Sequence, residues 1–206
     1  MLNRILTALA AAVLAAPLHA APLTVRVVDS AGRPVSDAVV TVRPSGAAAR
    51  KSSGSGPSVM AQKGMKFIPF VLVVPVGARV SFPNYDPTKH HVYSFSPAKQ
   101  FELKLFARDQ SRSVLFDKAG VVALGCNIHD MMTAFIFVTD SAWTAKTNSK
   151  GYASFGDVPS APAKLSVWHP YLRAPGNSLS RTIAAGDRSE SFSVVLRPPP
   201  KPMTDY

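Results

Sequence analysis

The chain has 206 residues, 47% hydrophobic and 17% charged, which is enough for one large or two modest packed domains. This composition excludes a disordered or fibrous chain, and the single cysteine, Cys126, excludes an internal disulfide. The net charge is +11, but the basic residues are spread evenly along the chain. The charge therefore indicates either colloidal solubility or steering toward an acidic protein partner, and not nucleic-acid binding.

Residues 1–20 have the pattern of a secretory signal peptide. Arg4 supplies the positive start, residues 5–18 form an apolar run, and Ala20 is a small residue before a plausible cleavage point. The apolar run is shorter than the roughly 20 residues that a membrane-spanning helix needs. We therefore predict a secreted protein of the periplasm with no membrane span.

The rest of the chain alternates between strand-like runs and turn residues. Strands are predicted, in chain order, at residues 23–28, 35–42, 59–62, 71–76, 79–82, 91–95, 112–116, 121–124, 133–139, 152–155, 165–168 and 191–196. Residues 44–58 have the Gly, Ser and Ala content of a linker, and residues 198–206 are predicted to be a flexible tail. A short helix is predicted only at 97–105 or 108–111. Short strands at this spacing indicate an all-β protein built from sandwiches or barrels.

The residues that indicate chemistry are concentrated in the heptapeptide CNIHDMM, which places Cys126, His129 and Met132 in the pattern Cys-x2-His-x2-Met. A thiolate, two imidazole nitrogens and a weak axial thioether are the ligands of an electron-transfer copper site. His90 or its neighbour His91 supplies the second imidazole, and the strand pattern favours His90. Zinc is less suited, because structural zinc prefers four strong nitrogen or sulfur ligands. Each residue alone has a plainer structural interpretation, and only the combination indicates a metal.

These residues also carry a family resemblance. Residues 59–139 resemble a cupredoxin, the small blue-copper β-sandwich, and the short ligand loop is most similar to that of the amicyanin group. The segments MKFIP, VLVVPVG, VSF and HHV fit the strands that precede the loop in that family. The resemblance implies that His90, Cys126, His129 and Met132 bind one type 1 copper ion, with His91 in the position of an asparagine.

The resemblance also has a narrower form and a departure. The chain is similar to bacterial proteins labelled methylamine utilisation proteins, from which we infer no methylamine metabolism. Asp130 stands where the amicyanin group has proline, and we expect its carboxylate to influence His129.

The segments on either side of this region resemble the two halves of a carboxypeptidase-regulatory-like, transthyretin-like sandwich. The first half is the hairpin around the turn at 29–34, and the second contains the turn NSKGY and the strand LSVWHP. We predict that residues 21–58 and 140–197 form one discontinuous sandwich interrupted by the cupredoxin domain at 59–139. The alternative is that residues 23–42 extend the cupredoxin sheet. His169 is predicted to be structural.

The predicted function is one-electron transfer between redox proteins, without enzymatic turnover. Electrons are expected to pass at the ring edge of His129, within an apolar docking patch that includes Met131 and Phe135. The alternatives are a copper storage or delivery module and a non-redox scaffold. An oxidase is not expected, because five histidines, one of them in the signal peptide, cannot supply further copper clusters. The sequence does not define an oligomeric state.

Overall fold

A computed structural model describes residues 20–46, 58–186 and 189–200. The predicted signal peptide up to residue 19, most of the linker and the end of the tail lie outside the described residues. Within the described ranges the chain is built from strands and a single 3-10 turn, Pro175–Asn177. The prediction of an all-β protein made of packed sheets is confirmed.

The strands are numbered in chain order. They are β1 (Ala20–Asp29), β2 (Val39–Pro44), β3 (Ala61–Gln62), β4 (Phe67–Ile68), β5 (Val71–Pro75), β6 (Ala78–Pro83), β7 (His90–Ser96), β8 (Lys99–Phe106), β9 (Ser111–Phe116), β10 (Gly120–Gly125), β11 (Thr133–Thr139), β12 (Trp143–Lys146), β13 (Tyr152–Pro159), β14 (Ala163–Trp168), β15 (Ser178–Ile183) and β16 (Ser189–Val194). The helix predicted at 97–105 or 108–111 is wrong. The first range lies mostly in β8, whose residues alternate in burial as a strand requires, and Asp109 lies in a turn with φ of 62°.

Strands from the two ends of the described chain pair with each other. A three-stranded sheet has the order β13-β1-β16 and a four-stranded sheet has the order β12-β2-β14-β15. Alternate residues of β1, including Leu23, Val25 and Val27, enter a core shared with Leu165 and Val167 of β14. We call this part the flanking sandwich. Because β1 and β2 pair only with these strands among the described residues, the alternative in which residues 23–42 extend the other sheet is wrong.

The middle of the chain has its own sheets and its own core. A five-stranded sheet has the order β5-β11-β10-β7-β8, and β6 pairs with β9. The core between them contains Phe82, Phe116, Val122 and Ile136. We call this part the central sandwich. Its strands β7, β10 and β11 end or begin at the predicted metal ligands.

The two sandwiches are joined through an aromatic contact on the outer face of the five-stranded sheet. The Trp168 ring, on β14, lies 5.8 Å from the Phe135 ring and 5.5 Å from the Phe137 ring, both on β11. The Tyr171 ring stacks on Phe70 at 6.0 Å. Aromatic pairs of this kind contribute about 0.5–1.5 kcal/mol each beyond the area they bury. The flanking sandwich is therefore packed against the strand that leads out of the predicted ligand loop.

Phe135, which was expected in an exposed docking patch with Met131, is instead partly buried in this contact, so that assignment of Phe135 is wrong. The described residues contain no helix with the length and apolar character needed to cross a membrane.

His169 follows Trp168 at the edge of this contact and is buried. Its Nδ1 accepts a hydrogen bond from the backbone N–H of Tyr171 at 3.2 Å, so the neutral ring carries its proton on Nε2. Burial lowers the pKa of His169, and the nearby Asp37 carboxylate offsets only part of this effect. The folded protein therefore disfavours the protonated ring, as expected for a structural histidine.

We predict that the metal-free protein loses stability as the pH falls below about 6.5, the ordinary pKa of histidine. Below this pH the unfolded chain binds a proton at His169 and the folded chain binds it less readily. The free energy of unfolding therefore rises as the pH is raised toward about 6.5. His169→Asn keeps an acceptor for Tyr171 but does not titrate. Urea unfolding at pH 5, 6 and 7.5 should show a shallower pH dependence for this variant. Identical slopes for variant and wild type would contradict this assignment.

Candidate metal centre

Three strands place the predicted ligands at one end of the central sandwich. His90 is the first residue of β7, Cys126 directly follows β10, and His129 and Met132 lie in the loop before β11. Strands β10 and β11 are antiparallel neighbours, so the loop that joins them returns on itself above the sheet. The backbone N–H of Met132 donates to the carbonyl of His129 at 2.9 Å, which closes this loop. Ligands from distant parts of the chain thus meet.

Possible ligand atoms of His90, Cys126 and His129 all lie within 4.8 Å of one another. The Cys126 Sγ and the His129 Nδ1 are 3.8 Å apart, and the two histidine rings have centroids 4.9 Å apart. The 3.8 Å between Sγ and Nδ1 is similar to the separation of two donors that bind one ion at about 2.0–2.3 Å each. His90 is fully buried, Cys126 is buried, and His129 is half-buried. The site is therefore closed on the His90 side and reaches the surface through His129.

Met132 and His91 differ from this cluster in their surroundings. The Met132 side chain is buried in the same core as Cys126, and its role as a weak axial ligand stays a prediction. The His91 Nε2 lies 2.8 Å from the Glu102 Oε1, and the His91 ring is outside the three-residue cluster. The structure therefore brings His90, and not His91, next to the cysteine. The backbone explains this, because successive residues of β7 point to opposite faces of the sheet.

The hydrogen bonds of His90 leave one ring nitrogen ready to bind a metal. Its Nε2 lies 2.8 Å from the Asp86 Oδ2, and its Nδ1 is buried without a hydrogen-bond partner. An ionised carboxylate only accepts, so the neutral His90 ring carries its proton on Nε2 and has a free lone pair on Nδ1. A buried acceptor without a partner costs stability, roughly 1–3 kcal/mol. A soft metal bound by this nitrogen, the thiolate and His129 would satisfy it, so the residues present fit a copper ion.

Asp86 is held in place by the segment before β4. The backbone N–H groups of Gly64 and Met65 donate to its two carboxylate oxygens, the second at 2.9 Å. Burial alone would raise the pKa of Asp86, but the hydrogen bonds from Met65, His90 and Gly64 outweigh it and hold the pKa below its usual value. The carboxylate therefore stays charged at neutral pH.

Asn84 supports the same turn. Its side-chain amide donates to the carbonyls of Thr88 and Phe106 at 2.9 and 3.1 Å, and its oxygen accepts from the Asp86 backbone N–H at 2.8 Å. Asn84 and Asp86 were missed as functional residues in the sequence, although the Asp-x3-His spacing was a signal for a carboxylate beside the histidine. Asp130 was instead expected to influence His129. Its side chain makes no hydrogen bond or ion pair within the described part of the chain, and it faces a cavity together with Lys66 and Met131.

No protein-family model matches the chain, and no curated protein matches it. Among solved structures, an amicyanin variant in its reduced Cu(I) form is 24% identical, covering 42% of this chain and 86% of that chain, with a TM-score of 0.38. A purple cupredoxin from Nitrosopumilus maritimus is 19% identical, covering 40% of this chain and 99% of that chain, with a TM-score of 0.36. A copper-containing nitrite reductase from Thermus scotoductus is 24% identical, covering 56% of this chain and 28% of that chain, with a TM-score of 0.39. The donor atoms of His90, Cys126 and His129 themselves indicate a metal site.

We predict that Asp86→Ala lowers the copper affinity by about 10- to 100-fold, the usual effect of removing the partner of a metal-binding histidine. The His90 ring would lose the bond that fixes its tautomer and orientation. Asp86→Asn should have a smaller effect, because the amide oxygen can still accept from Nε2. Competition titration with a copper chelator measures both values.

Asp117→Ala is the control, because this carboxylate is exposed on the turn between β9 and β10, where it pairs with Lys99. It should bind copper like the wild type. Equal affinities for Asp86→Ala and Asp117→Ala would contradict the role of Asp86.

Proposed function

We propose that the protein is a periplasmic type 1 copper protein that carries single electrons between redox partners. The observation that carries this proposal is the unpartnered Nδ1 of His90 in a buried cluster with Cys126 and His129. A copper ion bound there would accept and release one electron by cycling between its cupric and cuprous forms. The chain's own residues hold the donor atoms at fixed positions, which limits rearrangement between the two states.

Met132 is proposed as the fourth, weak ligand. Its position at the end of the ligand loop and its complete burial support this role, while the preceding Met131 is 47% exposed. Neighbouring methionines with opposite exposure therefore have different roles, one toward the metal and one toward the surface.

His129 is proposed as the point where electrons enter and leave, because it is the half-buried member of the cluster. Ile128 and Met131 lie near His129 in the sequence, and both have exposed apolar side chains. Met65, in the segment that contacts Asp86, is exposed as well. Scattered apolar residues are normal on a surface, but a group of them beside a metal site suits a transient contact with another protein.

The partner is proposed to be acidic. Lys63 and Lys66 flank the Asp86-binding turn and Lys89 precedes His90, and all three are exposed at the metal-binding end. Together with the net charge of +11, these lysines would steer a partner that presents carboxylates around an apolar centre.

The domain division and the absence of turnover are parts of the same proposal. We assign residues 59–139 to a cupredoxin domain inserted in a discontinuous sandwich of residues 21–58 and 140–197. The separate sheets and cores of the two sandwiches support this division. Secretion is supported by the signal-peptide pattern of residues 1–20.

We predict that the copper-loaded protein has an intense visible absorption band from thiolate-to-copper charge transfer, which bleaches reversibly on one-electron reduction. Spectroelectrochemistry with electron paramagnetic resonance measures this. Cys126→Ser should lose the band, because no other cysteine is present. Met132→Ala should shift the potential, and Met131→Ala, the matched control, should leave it unchanged.

A copper complex that is colourless in both forms, or one that cannot be reoxidised, would contradict the carrier and favour storage or delivery. A Cys126→Ser variant that keeps the band would place the metal elsewhere.

A further inference from the structure

Tyr93 lies across the strand that ends at the metal-binding cysteine. It is the cross-strand partner of Gly125, the residue directly before Cys126. A Cβ atom added to Gly125 would lie 2.6 Å from the Cζ and 2.7 Å from the hydroxyl oxygen of Tyr93. No side chain fits there while the ring keeps its place. The backbone of Gly125 is not in the left-handed conformation, so its φ angle does not require a glycine. The glycine is required because the Tyr93 ring occupies the space of a side chain.

This pair is the only register contact between β7 and β10 within the described chain. Further from the site, the Ser96 hydroxyl accepts a hydrogen bond from the backbone N–H of Ala123 at 2.9 Å. Since β7 begins at His90 and β10 ends just before Cys126, the contact between Tyr93 and Gly125 sets how far apart these two residues lie.

Two aromatic rings flank the Tyr93 ring on the outer face of β7. The His91 ring lies 5.8 Å away on one side and the Phe95 ring 5.2 Å away on the other. His91 is itself held by Glu102 at 2.8 Å, whereas Phe95 is 79% exposed. The ring of Tyr93 is thus supported most firmly on the side toward the metal site.

We propose that Tyr93 is a positioning residue for the metal thiolate: its ring, seated on Gly125, holds the end of β10 so that the Cys126 sulfur faces His90. The proposal rests on the proposed copper function. It assigns His91 a role as well, since this histidine supports the Tyr93 ring and is not a ligand. The exposed Phe95 contributes little, because solvent lies on its far side.

The test compares four variants of the copper-loaded protein. Gly125→Ala should displace the Tyr93 ring, shift the charge-transfer band, change the copper hyperfine splitting and lower copper affinity by about 10-fold, the lower end of outer-shell effects. Tyr93→Phe keeps the ring and should resemble the wild type, whereas Tyr93→Ala should resemble Gly125→Ala. Phe95→Ala, on the same face, is the control and should leave the spectrum unchanged.

A double variant makes the test independent of general damage to the fold. If the ring causes the effect of Gly125→Ala, adding this change to Tyr93→Ala should shift the spectrum little further, because the clash is gone. Additive shifts, or a Gly125→Ala or Tyr93→Ala spectrum equal to that of the wild type, would overturn the role of Tyr93. Should Gly125→Ala fail to fold by circular dichroism, the contrast between Tyr93→Ala and Tyr93→Phe decides. A wild-type protein without the charge-transfer band would overturn the copper function itself.

Discussion

The structure around the metal site depends on one hydrogen bond between two buried groups, His90 and Asp86. A buried imidazole needs a partner for its N–H, and a buried carboxylate needs donors for its charge. Asp86 accepts the N–H of His90, and the backbone N–H groups of Gly64 and Met65 supply the other donors to its carboxylate. The consequence is chemical: the remaining nitrogen of His90 is left as a free lone pair beside a thiol and a second imidazole. The hydrogen bonds around His90 therefore hold the donor atoms close together without a bound ion.

The flanking sandwich gives this arrangement a rigid support. Trp168 and Tyr171 pack on Phe135 and Phe70, which are joined by an edge-to-face ring contact and by a backbone hydrogen bond of 2.9 Å. Lys146, also from the flanking sandwich, donates to the carbonyl of Val71 in β5 at 3.0 Å. The contact covers the β11 side of the sheet and leaves the Tyr93 side open. The flanking sandwich therefore stabilises β11, the strand after the ligand loop, without covering the half-buried His129.

The sequence predicted the all-β class, most strands and the loop that holds Cys126 and His129, because these depend on local residue patterns. The strand pattern favoured His90 over His91 but left both open, since either could face the core until the register of β7 was known. Phe135 was assigned to the surface because its cover, Trp168, comes from a distant segment. Asp86 was overlooked for a similar reason: its donors lie on another turn, over 20 residues earlier. The register of β7, the cover of Phe135 and the donors to Asp86 all depend on contacts between distant segments. Local residue patterns do not specify such contacts.

We propose that one copper ion is bound by the sulfur of Cys126 and one imidazole nitrogen each of His90 and His129. Extended X-ray absorption at the copper edge measures the neighbours of the ion directly, in both oxidation states. We expect a single short copper–sulfur bond and two copper–nitrogen bonds, with the sulfur contribution absent in Cys126→Ser and one nitrogen absent in His90→Ala. A shell made only of nitrogen and oxygen neighbours, or an unchanged shell in His90→Ala, would contradict it.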